Sequence, residues 1–279
     1  MGGLVWLASY PKSGNTWMRA FLANLLIDTP EPVPINHLAK FCLGESARIF
    51  YEGAFDKPLD EVSVSEIARL RPQVQESLTR FSVQPVFVKT HNYMGTWFDV
   101  PLINLKVTAA AIYVARNPLD VAISCSHHFG ETIDESIKRL ALAGSGTKMS
   151  ASHVPEIYHT WSHNVDSWAL HPNPRLLPLR YEDLVAQPEL YFGRVVRFLG
   201  INLPEERFRR ALRHSSFDIL KDQEKEQGFL ERPKTSQSFF REGRAEQWRD
   251  VLSPEQVRQI IHDHRATMER LGYIPKDYA

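Results

Sequence analysis

The chain has 279 residues, with 33 lysines and arginines against 33 aspartates and glutamates, so its formal charge is zero. That balance speaks against a non-specific nucleic-acid binder and a polybasic membrane binder, both of which need an excess of positive charge. Apolar residues at 43% and charged residues at 24% exclude wholesale disorder, and a chain of this length can bury a core without staples.

Taken in order, the chain alternates short apolar runs with longer helical patterns, the signature of a parallel sheet covered by helices. Strand-like sequence begins at Leu4 and runs to Ser9, leaving no room for a signal peptide. A helix is predicted over Thr16–Ile27. Its apolar stretch Phe21–Ile27 is interrupted by Asn24 and falls far short of the ~20 residues of a membrane span. Pro30–Asp60 reads as a proline-rich loop. Further strands are predicted at Pro85–Thr90, Ala110–Arg116 and Arg175–Leu179, the last marked as an edge or strand end by Pro178. Helices are predicted at Pro118–Phe129, Pro155–Leu170, Pro188–Leu199, Pro204–Arg213 and Pro254–Leu271, each opening on a proline that suits the first helical turn. Ala143–Val154 and Gln223–Glu246 read as irregular. Cys42 and Cys125 are too few for a disulfide framework and suit a reducing compartment. The expectation is one domain over 1–279, cytoplasmic, of three-layer α/β class with a central parallel sheet flanked by helices.

The first strand leads into Tyr10–Thr16, YPKSGNT, and then a helix, which is where an α/β protein places a phosphate. Gly14 permits close backbone approach, and the free N–H groups of the helix start point at an anion. In the nucleoside-triphosphate loop G-x-x-x-x-G-K-[ST], the lysine follows the second glycine. Here Ser9 stands at the first glycine, Asn15 at the lysine, and the lysine lies inside the loop as Lys12. The predicted strands end in Lys89–Thr90 and Arg116–Asn117, leaving Asp183 after the fourth strand as the only nearby carboxylate for magnesium, so the site reads as built from cations and no metal is expected. Arg116, at the tip of the third predicted strand, offers a planar fork suited to a second phosphate, and Ser124 follows in the next helix.

Two anion elements at two strand tips ask for a ligand with two separated phosphates, and here a resemblance is plain. YPKSGNTW resembles the 5′-phosphosulfate loop, and RNPLDVAIS the 3′-phosphate segment, of the cytosolic sulfotransferase family, the former in the shape seen in bacterial members. The resemblance runs from Leu4 to about Leu252. It implies the donor 3′-phosphoadenosine 5′-phosphosulfate (PAPS), the product 3′,5′-bisphosphoadenosine (PAP), a P-loop-like fold, and sulfuryl transfer to a hydroxyl, or an amine, of a small-molecule acceptor. Residue by residue, it implies Lys12 at the bridging oxygen of the phosphosulfate, Ser13, Gly14, Asn15 and Thr16 as the cradle, and Trp17 against the adenine. It implies His91 as general base with Lys89 beside the transferring group, in VFVKTHNY. Arg116 and Ser124 would hold the 3′-phosphate, Ser124 counting also among the catalytic set. Tyr181 in LRYEDL, Ser215 and Phe217 in HSSFDIL would meet the base, and Arg241 and Gly243 in FFREGRAEQW would back the 3′-phosphate. Glu242 and Glu246–Gln247 depart from the residues usual there in animal members. The dimer motif of some animal members is not recognisable in RDVLSPEQV, and oligomeric state is left open.

Two rival readings stand beside this one: a phosphate-loop nucleotide kinase, and a non-catalytic binder of 3′,5′-bisphosphoadenosine. His159 and His163 have helical spacing but lack the glutamate of a zinc protease, so they read as surface or capping residues. His127–His128–Phe129 read equally as acceptor-cavity lining or as packing. Phe50, Tyr51, Phe55, Trp97 and Phe98 read as an acceptor lid or as satellite clusters.

Overall fold

The computed structural model describes residues 3–170 and 173–278. Its strands are β1 (Leu4–Ser9), β2 (Leu43–Gly44), β3 (Val86–Thr90), β4 (Thr96–Trp97), β5 (Val100–Pro101), β6 (Thr108–Ala115) and β7 (Leu176–Arg180). Its helices are α1 (Asn15–Ile27), α2 (Leu38–Phe41), α3 (Val64–Leu78), α4 (Pro118–Phe129), α5 (Ile133–Ala141), α6 (Trp161–Ala169), α7 (Tyr181–Ala186), α8 (Pro188–Phe198), α9 (Glu205–His214), α10 (Phe217–Gln227), α11 (Trp248–Val251) and α12 (Pro254–Arg270).

Five strands form one parallel sheet in the order β2-β3-β1-β6-β7. All six residues of β1 are buried, as a strand covered on both faces requires. Its alternate side chains feed two different cores. Leu4, Trp6 and Ala8 join Tyr113, Leu119, Trp161 and Ile260 on one side, while Leu7 joins Ile112, Val114, Phe21 and Phe192 on the other. The period-2 geometry of the strand thus makes a three-layer molecule. β7 lies at the sheet edge, where Pro178 removes no needed donor.

From β1 the chain runs out to β2, returns to β3, and then crosses to β6 on the far side of β1. The direction of winding therefore reverses beside β1, and ligands of open α/β sheets lodge at the carboxyl ends of strands at such a reversal. The ends of β1, β3 and β6 carry the loop Tyr10–Gly14, the turn Lys89–Asn92, and Arg116–Asn117.

Four expectations need correction. The predicted helix Pro155–Leu170 begins only at Trp161, capped by the Thr160 hydroxyl accepting from the His163 N–H. Residues 155–160 are not helical, because the main chain of Glu156 and Ile157 pairs with residues 146 and 147 and His159 turns through the left-handed region at φ 60°. Pro30–Asp60 is not simply loop: it contributes α2 and the two-residue strand β2, paired parallel with β3. Gln223–Glu246 opens helically, since α10 continues to Gln227. Helices α3 and α5 were not expected, although each begins with a full capping box, Ser63 with Glu66 and Thr132 with Glu135. The inward face of α3 hid its pattern: it buries Arg71 and Gln75 beside Ile67, Val74 and Leu78, and Pro72 sits within it.

Among the described residues no helix is long and apolar enough to cross a membrane, and no group of three or more His, Cys, Asp or Glu is placed to hold a metal ion. Both cysteines are buried and free.

Candidate active site

The phosphate-loop segment turns through two left-handed residues, Lys12 at φ 66° and Gly14 at φ 104°. A Cβ at Gly14 would lie 2.8 Å from the Tyr181 ring, so the loop can pack here only with glycine. No side chain caps the start of α1, which leaves its first N–H groups directed out of the helix end. Ser13 is fully buried with its hydroxyl unpartnered. Asn15 turns to the sheet: its amide donates to the Leu7 carbonyl at 2.8 Å, fastening the loop to β1, while its Oδ1 is buried without a partner. Thr16 accepts from Arg19 through its hydroxyl. Trp17 lies edge-on to Tyr181 and Phe192.

Lys12 and Arg116 meet. The Arg116 guanidinium donates to the main-chain carbonyl of Lys12 at 3.2 Å and to that of Arg244 at 3.3 Å, and lies 4.4 Å from the Tyr181 ring centroid. Arg116 is buried, and its Nε has no partner. Asp120 stands 3.9 Å from it but spends both oxygens on main-chain donors, accepting from the N–H groups of Glu246 and Trp248. The tie thus draws the C-terminal segment onto α4. Ser124 is half-buried on the same helix.

Arg241 is half-buried, and burial together with Arg116 lowers its pKa. Glu242 is exposed and pairs with Arg244 at 3.4 Å. Gly243 has φ 65°, and a Cβ there would fall 2.3 Å from the Phe217 ring. Phe217 opens α10 against that glycine. Ser215 is fully buried at the end of α9, and its hydroxyl donates to the Ala211 carbonyl at 2.8 Å, so its proton serves the helix terminus.

Sequence reasoning missed what holds the reacting end. His91 Nδ1 lies 2.8 Å from the Ser9 carbonyl oxygen and 3.3 Å from the Ser9 hydroxyl. A carbonyl only accepts, so Nδ1 carries the proton and Nε2 keeps a free lone pair. The His91 N–H donates to Glu156, and its carbonyl accepts from Asn164. Burial, reinforced by the Lys89 charge, pulls His91 down to about 4, so the imidazole is neutral at pH 7. Burial likewise lowers Lys12 to about 8, and Phe239 covers its ammonium at 3.6 Å from the ring centroid. His128 lies against Phe129 and Phe239, and burial with the Lys12 charge takes it to about 3. His128 was already a candidate in the sequence; of the missed residues Glu156, Asn164 and Phe239, only Phe239 had a signal, its place two residues before Arg241.

The other aromatics are divided. Tyr51 is fully buried with Leu59, Ile67 and Val154, and Phe50 and Phe55 pack on it, so these three form a satellite core. Trp97 and Phe98 pack with their rings inclined at 51° at the β4–β5 hairpin. His159 and His163 stack on each other at 4.0 Å beside Tyr93.

The chain is similar to known proteins over nearly its whole length. The family model of the sulfotransferase domain matches residues 3–272. Cytosolic sulfotransferase 12 of Arabidopsis thaliana is 28% identical over 267 residues, 91% of this chain and 74% of its own length. Sulfotransferase 1A1 of Canis lupus familiaris is 25% identical over 281 residues, 95% of this chain and 83% of its own. Among solved structures, a retinol dehydratase in complex with androsterone and the inactive cofactor PAP superposes with a TM-score of 0.66 at 21% identity, covering 95% of this chain and 80% of that one. Mouse sulfotransferase SULT7A1 complexed with PAP gives 0.64 at 20% identity, covering 99% and 88%.

Proposed function

This chain belongs to the sulfotransferase domain family, and on that premise we propose that it transfers a sulfuryl group from PAPS to a hydroxyl of a small-molecule acceptor in the cytoplasm, an amine being the lesser alternative. The donor's 5′-phosphosulfate lies over the loop from Lys12 to Thr16, where α1 presents its N–H groups. Its 3′-phosphate is taken by Arg116, Ser124 and the Arg241–Gly243 segment. Its adenine lies among Trp17, Tyr181 and Phe217, near Ser215. The PAP complexes of two similar folds support this choice of donor, and androsterone in one of them supports an alcohol acceptor.

His91 Nε2 takes the proton of the acceptor hydroxyl. The oxygen's electron pair forms the new S–O bond as the bond from sulfur to the bridging oxygen breaks, and that pair stays on the 5′-phosphate of PAP. Lys12 faces the bridging oxygen, where charge accumulates, and Lys89 the transferring group, so both favour the transition state over the ground state.

The observation that carries this reading is the hydrogen bond from Arg116 to the Lys12 carbonyl. It puts the tips of β1 and β6, each carrying a cation, side by side, which supports a ligand with more than one phosphate. The test is a melting-temperature comparison of PAP with magnesium-ATP, because a ligand that binds only the native state raises the midpoint. PAP is expected to raise it and magnesium-ATP to leave it in place. The reverse result would favour the kinase reading. Binding of PAP without consumption of PAPS across a panel of phenols, alcohols and amines would favour the non-catalytic one.

A further inference from the structure

One ion pair in the crevice is assigned no part in the reaction described above. Arg19, on the second turn of α1, is fully buried and makes a bidentate pair with Glu231, both N–O distances being 2.7 Å. The planar fork of arginine matches a carboxylate in this way and fixes orientation as well as charge. The same guanidinium also donates to the Thr16 hydroxyl in the first turn of α1. Burial pushes the Glu231 carboxyl up, but Arg19 outweighs it and takes the group down to about 2, with Lys89 and His91 contributing in the same direction.

Glu231 belongs to the segment between α10 and α11, which has no helix or strand of its own. That segment carries Phe239, which covers Lys12, and Arg241 and Gly243. It is held at intervals: Asn36 pairs with Gly228 and Leu230, Glu224 accepts from the N–H groups of Phe239 and Phe240, and Asp120 takes Glu246 and Trp248. Only the Arg19–Glu231 pair among these ties the segment by charge to the helix that follows the phosphate loop.

We infer that Arg19 and Glu231 are positioning residues for the donor: their ion pair holds the segment bearing Phe239, Arg241 and Gly243 in register over the phosphate loop before the nucleotide arrives. A segment ordered in advance spares binding the entropy of ordering it. Their hydrogen bonds go to each other and to Thr16, so they act on the donor through the segment they hold. The inference rests on the PAPS reading given above.

The test measures PAP affinity by calorimetry and backbone hydrogen exchange on the full chain, for the wild type, Glu231→Gln and Arg19→Lys. Glu231→Gln keeps the shape but loses the charge. It is expected to weaken PAP on the order of tenfold, the scale of a lost charge-assisted hydrogen bond. Exchange should rise across residues 228–247 while β1, β3 and β6 stay protected, and saturating PAP should restore protection. Arg19→Lys keeps the charge without the fork and should fall between the two; it carries the test if Glu231→Gln, with Arg19 left buried and unpaired, does not fold. Unchanged PAP affinity in the variants, or exchange rising throughout the molecule, would overturn the positioning role. A wild type that ignores PAP would overturn the donor reading itself, and a wild type that binds PAP beside an indifferent Glu231→Gln would overturn the ion-pair inference alone.

Discussion

His91 Nδ1 sits 2.8 Å from the carbonyl oxygen of Ser9, the last residue of β1. Because that contact fixes the proton on Nδ1, the adjacent strand leaves Nε2 as the nitrogen with a free lone pair, the one the proposed mechanism uses. The proposed base role needs the neutral ring, and burial with Lys89 places its titration at about 4. The rate should therefore be flat through neutrality and fall as the pH drops through about 4, the sign expected of a base that must be unprotonated. Replacing His91 with Ala should cost roughly 10²–10⁴ in kcat while the PAP Kd stays unchanged. Pre-steady-state turnover and calorimetry on the same protein separate the two quantities. A His91→Ala protein that turns over normally would refute the base assignment.

Lys12 supplies the opposite pH limb. Buried under Phe239, its ammonium releases a proton at about 8 in the free site. A bound polyanion favours the charged form and raises that value, so binding takes up protons above pH 8 and affinity declines as the pH rises. The decline should be roughly tenfold per pH unit until the bound-state value is reached. Calorimetry in buffers of different ionisation enthalpy reads the uptake directly. Replacing Lys12 with Met should abolish both the uptake and the slope. A PAP affinity that is constant from pH 7 to 10 would show that this ammonium does not meet the donor.

The sheet strands were legible because β1 and the last five residues of β6 are buried on both faces, where continuous apolar runs mark a strand, while β3 alternates buried and half-buried residues at the strand period. α4 was legible from its first residue to its last, since Pro118 opens it and Gly130 closes it in the left-handed region. α3 was not, because its inward face is partly polar: Arg71 and Gln75 are buried there against Glu45, which follows β2, and against the main chain of Pro155, Leu102 and Asn104. In the site, the loop and strand-tip residues lie in local patterns. The partners that set their chemistry are remote. Ser9 is 82 residues from His91, and Glu231 is 212 from Arg19. No local pattern records such pairs, because tertiary packing alone brings them together.

Arg116 does two things with one guanidinium, holding the carbonyls of Lys12 and Arg244 and offering an unpartnered Nε. Replacing it with Ala should weaken PAP by about 1.5–3 kcal/mol, the range for a hydrogen bond to a charged group. Replacement with Lys should recover only part of this, since an ammonium cannot hold two carbonyls in the plane of a fork. The same titration on 5′-AMP, which lacks the 3′-phosphate, should show a smaller loss. Equal losses for both nucleotides would mean that Arg116 acts through the loop alone and does not reach the 3′-phosphate.

Gly243 tests the segment from another direction. It has φ 65°, and an added Cβ would lie 2.3 Å from the Phe217 ring, too close for that ring to keep its place. Gly53 also has a positive φ, 76°, yet an added Cβ there would meet nothing within 4 Å. Both Gly→Ala changes incur the backbone strain of the left-handed region, each destabilising by upwards of ~1 kcal/mol. Only Gly243→Ala also displaces Phe217 from the edge of the proposed adenine site. Gly53→Ala should lower the melting temperature and leave PAP affinity alone. Gly243→Ala should lower both, with the affinity loss concentrated in the nucleoside, so that inorganic pyrophosphate, which has no base, discriminates less between the two variants than PAP does. If the two variants bind PAP equally well, Phe217 has no place at the adenine.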